Sequence, residues 1–145
     1  MNDNNLFNLR EYNDLYQKDV AKIVGVKQQT YSLWERGIKI IPLKHLNTLC
    51  NYYKVSMNYI MGLTNNKYSN INTIKILDKT KIGNNIKYIR KQHCLTIRDL
   101  SKLLNTTPST ISYYENGKTL IITAFAYQIE KKYNISMDWL CGREQ

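Results

Sequence analysis

The chain is expected to be all-α, with two tandem five-helix domains joined by a linker, and three observations predict this. Sliding the sequence against itself by 80 residues brings two segments into register without a gap, from about Leu9 to Gly62. Inside each segment apolar residues recur at i, i+3 and i+4, the spacing that lines one face of a helix. Glycine or asparagine interrupts the period where a chain leaving a helix adopts a left-handed conformation. The expected division is residues 1–63, a linker at 64–81, and residues 82–145.

The repeat is dense in identities: Arg10 with Arg90, Leu15 with Leu95, Asp19 with Asp99, Thr30 with Thr110, Glu35 with Glu115 and Gly37 with Gly117. Apolar residues otherwise exchange for apolar ones, as in Val20 for Leu100, Trp34 for Tyr114 and Ile60 for Leu140. Val20, Ile23 and Val24 predict one amphipathic helix and Leu46, Leu49 and Tyr53 another; Leu100, Leu103, Leu104 and Ala126, Ile129, Tyr133 echo them. Gly25 and Asn105 end the first of these helices, and Gly37 and Gly117 follow the next. Pro108 and Pro42 suit the first turns of helices. Trp34 and Trp139 fall on inward positions and read as core residues.

A chain of 145 residues with 21 basic and 11 acidic side chains has a formal net charge of +10, which favours polyanionic partners, nucleic acid or an anionic membrane. The excess is spread over the chain, so the charge alone does not choose between a binding surface and a merely solvated one. No stretch approaches the ~18 consecutive apolar residues of a membrane span, the N-terminal residues do not read as a signal peptide, and a cytoplasmic location is expected. Cys50, Cys94 and Cys141 form no CxxC pair, and His45 and His93 have no partner at metal spacing, so no metal or cofactor is expected. Without a phosphate loop or a nucleophile elbow, the chain is not expected to be an enzyme, and no small-molecule substrate is evident.

Each unit contains an amphipathic helix, a three-residue turn and a second helix: Gln17 to Val24, then Gly25, Val26 and Lys27, then Gln28 to Arg36. That spacing is the helix-turn-helix, in which one helix lies across the phosphate backbone and the next presents its N-terminal residues to base edges in the major groove. Tyr31 and Trp34, or Ile111 and Tyr114, face inward to anchor the second helix. The outward positions are Gln28, Gln29, Ser32 and Leu33 in the first unit, and Pro108, Ser109, Ser112 and Tyr113 in the second.

QKDVAKIVGVKQQTYSLWERG and IRDLSKLLNTTPSTISYYENG both resemble the Cro and phage-repressor (XRE) family, and VSMNYIMG and ISMDWLCG resemble the short fifth helix that ends its domain. The resemblance covers most of the chain. It implies two repressor-like, five-helix DNA-binding domains and a transcriptional repressor that binds double-stranded DNA, with homodimerisation usual in the family. It places Gln28 and Gln29 at base-reading positions, where glutamine can pair in bidentate fashion with adenine. Gln17 matches a phosphate-binding glutamine, and Lys27, Arg36 and Lys39 flank the recognition helix as further phosphate contacts. Arg10 with Glu35, and Arg90 with Glu115, match a structural ion pair between the first and third helices.

The second unit departs from that pattern: Ile97 stands in the place of Gln17, and Thr107 and Pro108 in those of Lys27 and Gln28. Ser109, Ser112 and Tyr113 remain available for bases, and Arg98 and Lys118 for phosphates, which predicts two unlike half-sites. Half-sites lie ~34 Å apart in dimers of this kind, and a linker of about 20 residues, with a coil end-to-end distance near ~25 Å, reaches that by extending toward its limit of up to ~70 Å. Within the linker Ile71, Ile74, Ile76 and Leu77 read as a short strand, a docked turn or a sticky tether. A rival reading is an antitoxin-like or adaptor protein in which one domain holds DNA and the other binds a protein or dimerises.

Overall fold

The structure is a computed structural model that describes residues 4–67 and 71–144. The chain divides into two compact units, Met1–Lys75 and Ile76–Gln145. Unit 1 contains α1 (Leu6–Tyr12), α2 (Gln17–Val24), α3 (Gln28–Glu35), α4 (Leu43–Tyr53) and α5 (Met57–Ile60). Unit 2 repeats the order with α6 (Lys79–Gln92), α7 (Ile97–Leu103), α8 (Pro108–Glu115), α9 (Thr123–Tyr133) and α10 (Met137–Leu140).

Local chemistry sets where these helices start and stop. In α7 the Thr96 hydroxyl accepts from the Asp99 N–H at 3.0 Å while the Asp99 carboxylate accepts from the Thr96 N–H at 2.9 Å, a reciprocal cap for two donors that a helix leaves over. Tyr16 lacks the short hydroxyl, and α2 keeps half of this arrangement, Asp19 accepting from the Tyr16 N–H at 2.8 Å. Gly25 (φ 76°) and Asn105 (φ 57°) leave α2 and α7 in the left-handed region, as expected. Pro108 is the first residue of α8, whereas Pro42 stands one position before α4, as its cap, instead of inside the first turn.

Each core lies between α2, α3 and α4, or their counterparts, closed by the short last helix. Val20, Tyr31, Leu46, Leu49, Met57 and Ile60 are buried in unit 1, and Leu100, Ile111, Ala126, Ile129, Met137 and Leu140 in unit 2. The first and last helices of each unit are stitched by one repeated asparagine. Asn5 Nδ2 donates to the Tyr59 carbonyl at 2.7 Å, and Asn85 Nδ2 to the Trp139 and Leu140 carbonyls at 3.1 Å. Trp139 itself is half-buried, with its ring 6.1 Å from that of Tyr88, so the inward placement expected for it holds only in part.

Within the stretch expected to be a linker at 64–81, two described positions are held by hydrogen bonds. In unit 1 the side-chain amides of Asn47 and Asn51 both donate to the Ile74 carbonyl, at 2.8 and 2.7 Å. In unit 2 the Asp78 carboxylate caps α6 by accepting from the Thr80 and Lys81 N–H groups, and Leu77 is buried. Helix α6 therefore begins three residues before the expected domain start at 82. Of the four apolar residues there, Ile76 is exposed and Ile71 is half-exposed and outside any helix.

Candidate nucleic-acid interface

The helix-turn-helix of unit 1 is α2, the turn at 25–27 and α3. Lys27 has an extended backbone just before α3, and Gln28 and Gln29 in its first turn are both exposed. Tyr31 is fully buried and Trp34 is 4% exposed, their rings meeting edge to face at 6.2 Å. Trp34 also stacks on His45 at 5.3 Å. With the inner face anchored in this way, α3 presents its other face to solvent.

Gln17, Gln28, Gln29, Ser32, Leu33 and Arg36 converge on one open concave surface of about 400 Å³. All six are among the residues expected to meet DNA. Ser32 and Leu33 are half-buried in its floor, while Arg36 is exposed at its end. Lys27 and Lys39 are exposed but do not line this surface; they stand outside it.

Behind this surface lies the ion pair. Arg10 Nε and Nη2 donate to Glu35 Oε2 and Oε1, both at 2.8 Å, and Nη1 donates to the Leu15 carbonyl at 3.0 Å. One guanidinium thus joins α1, α3 and the approach to α2 through a fork that lysine could not reproduce. Unit 2 repeats it: Arg90 meets Glu115 at 2.7 and 3.0 Å and the Leu95 carbonyl at 2.9 Å. In unit 1 the Gln17 amide also donates to Glu35 Oε1 at 3.3 Å. The residue expected at a phosphate is therefore tied to the buried pair, a link that motif spacing does not show. Burial pushes the Glu35 carboxyl upward, but the Arg10 fork, the neighbouring Tyr31 hydroxyl and Gln17 outweigh it and hold it below the usual range.

In unit 2 the corresponding surface is plainer. Ile97 replaces Gln17 and has no amide to donate. The Ser112 hydroxyl accepts from the Asn116 amide at 3.3 Å, and the Lys118 ammonium lies 5.4 Å from the centre of the half-exposed Tyr113 ring. Ser109 and Arg98 are exposed. Thr107 caps α8 by accepting from the Thr110 N–H at 3.3 Å. Ser112 and Tyr113 thus already have intramolecular partners, and base contacts by this helix would compete with them.

Three features lie outside what motif reading reaches. Arg143 Nε meets Asp138 Oδ1 at 3.2 Å in a fully buried pair of unit 2, where unit 1 has Leu63 and Asn58. Glu130 is buried on α9 at the position of Cys50, its Oε2 has no hydrogen-bond partner among the described residues, and burial pushes its carboxyl above the usual range. Gly83 lies against α8, where a Cβ would come within 2.2 Å of the Tyr114 carbonyl oxygen. Cys94 is exposed, while Cys50 and Cys141 are buried. Among the described residues no group of three or more His, Cys, Asp or Glu side chains is placed to hold a metal ion, and no helix is long and apolar enough to cross a membrane.

The chain is similar to proteins of known name over part of its length. The antitoxin PezA of Streptococcus pneumoniae serotype 4 (strain ATCC BAA-334 / TIGR4) is 33% identical over 64 residues, which are 44% of this chain and 40% of that protein. The chain thus spans well under two thirds of the length of this curated relative. The crystal structure of the clp gene regulator ClgR from Corynebacterium glutamicum matches 46% of this chain and 71% of its own, with a TM-score of 0.41 and 16% identity. The helix-turn-helix family profile matches residues 6–60 and again 86–140, the five helices of unit 1 and those of unit 2 from within α6 onward. The chain belongs to the helix-turn-helix family, of the phage-repressor (XRE) type, and carries its fold twice.

Proposed function

We propose that the protein is a sequence-specific, double-stranded DNA-binding transcriptional regulator acting as a repressor, with α3 as its principal reader in the major groove. The observation that carries this is the single surface on which Gln17, Gln28, Gln29, Ser32, Leu33 and Arg36 meet. Gln28 and Gln29 supply donor and acceptor together, the pattern that pairs with adenine N6 and N7. Leu33 offers an apolar contact of the kind a thymine methyl accepts, and Ser32 a hydroxyl for either base type. Gln17, Lys27, Arg36 and Lys39 take phosphates, and the net charge of +10 makes the attraction strongly salt-dependent.

Unit 2 reads DNA less directly: Ser109, Ser112 and Tyr113 face bases, with Arg98 and Lys118 on the backbone, and an operator for both units has unlike halves. An antitoxin-like arrangement, in which unit 2 serves a protein partner or dimerisation instead, draws support from the PezA relative and from the intramolecular partners of Ser112 and Tyr113. Fluorescence anisotropy of the full chain on a mixed-sequence duplex, repeated over a range of salt, tests the DNA reading. The affinity should fall linearly with salt on logarithmic axes, and Lys27→Ala or Arg36→Ala should each lower the slope by about one. Binding that ignores salt, or none at low salt, would rule the reading out.

A further inference from the structure

Two positions of α4 perform a task in unit 1 that their counterparts on α9 do not perform in unit 2. Asn47 and Asn51 stand one helical turn apart and clamp the backbone of a non-helical segment, both amides donating to the Ile74 carbonyl. The 80-residue register puts Tyr127 and Lys131 at those two positions. Together with Leu103, Gln128 and Lys132 they line an open groove of about 510 Å³ in unit 2. None of the five belongs to α8.

We propose that this groove between α7 and α9 is a docking site for an extended, acidic segment of a protein partner, held against α9 as the Ile74 backbone is held against α4. Three features define the occupant. The half-buried Leu103 and Tyr127 give the groove an apolar floor, suited to one aliphatic side chain of the guest. Asn51 has been exchanged for Lys131, with Lys132 beside it, and both are exposed. An ammonium carries three donors and no acceptor, and a carboxylate satisfies it with a stronger, charge-assisted bond than a peptide carbonyl does. A second copy of this chain offering its own residues 71–76 would bring Lys75 against those two lysines, so like charges disfavour that occupant.

This inference does not depend on the DNA reading, because the groove and the α3 surface share no residue. The test uses the ¹⁵N-labelled full chain and two synthetic hexapeptides. One has the sequence of residues 71–76, and the other carries Asn72→Asp and Lys75→Glu. The acidic peptide should shift the amide signals of Leu103, Tyr127, Lys131 and Lys132 saturably and bind at least about tenfold tighter than the unsubstituted one. The double variant Lys131→Glu/Lys132→Glu should reverse that preference, its dispersed amide spectrum confirming that it is folded. No saturable shift at these four residues, equal binding of both peptides, or an unchanged preference in the folded double variant would each overturn the proposal.

Discussion

Glu35 is the side chain on which the geometry beneath the α3 surface turns. It receives the Arg10 fork from one side and the Gln17 amide from the other. Truncation as Glu35→Ala leaves a buried guanidinium without its carboxylate, and should cost about 3 kcal/mol in denaturant unfolding, reported by Trp34 fluorescence. The folded-state carboxyl is held below its unfolded value, so its stabilisation is complete above the ordinary carboxylate range, ~4.3, and is lost as pH falls through the folded value. The wild type should therefore lose stability on acidification more steeply than Glu35→Ala. Glu130 behaves in the opposite sense. Burial raises its carboxyl, so the folded state binds the proton more readily than the unfolded state, and stability falls as pH rises through that interval. Glutamine in its place keeps the shape and removes the charge at a partnerless oxygen. The Glu130→Gln variant should be more stable at pH 7 by about 1 kcal/mol and lose that advantage near pH 4, as thermal melting at the two pH values would show.

At the scale of elements, α3 and α8 occupy equivalent places and present different chemistry. The inner faces were legible in the sequence because burial demands apolar residues at helical spacing: Tyr31 and Trp34 face in, as do Ile111 and Tyr114. Hydrogen bonds among polar side chains carry no such period. The tie of Gln17 to Glu35, the Asn116 bond to Ser112 and the Asn47 and Asn51 clamp depend on where rotamers bring short amides, which spacing alone leaves open. The contact of α6 with α8 is tighter than anything its pattern announces, because what matters at Gly83 is a missing side chain. Gly83→Ala would drive a methyl into the Tyr114 carbonyl, and should destabilise unit 2 by about 2 kcal/mol while the unfolding of unit 1, followed by Trp34 in a Trp139→Phe background, stays unchanged. An undisturbed unit 2 would show that α6 can shift to make room.

For the whole molecule, the repeat was the strongest signal, since twelve or more paired positions a constant distance apart leave few folds open, and the family match follows the same two segments. The connection was the weakest. Residues 64–81 have the composition of a tether, yet Ile74 is bound in one unit and Asp78 caps a helix of the other, because two amides and one carboxylate outweigh a polar average. If α3 chooses a DNA sequence through Gln28 and Gln29, as proposed, selection of bound sequences from a random duplex pool will show it. The full chain and its Gln28→Ala/Gln29→Ala variant would be run side by side. The wild type should yield an enriched site with adenines at defined positions, and the variant should lose preference at those positions by about 1–3 kcal/mol each while keeping salt-dependent affinity for bulk DNA. The same enriched site from both proteins would contradict it.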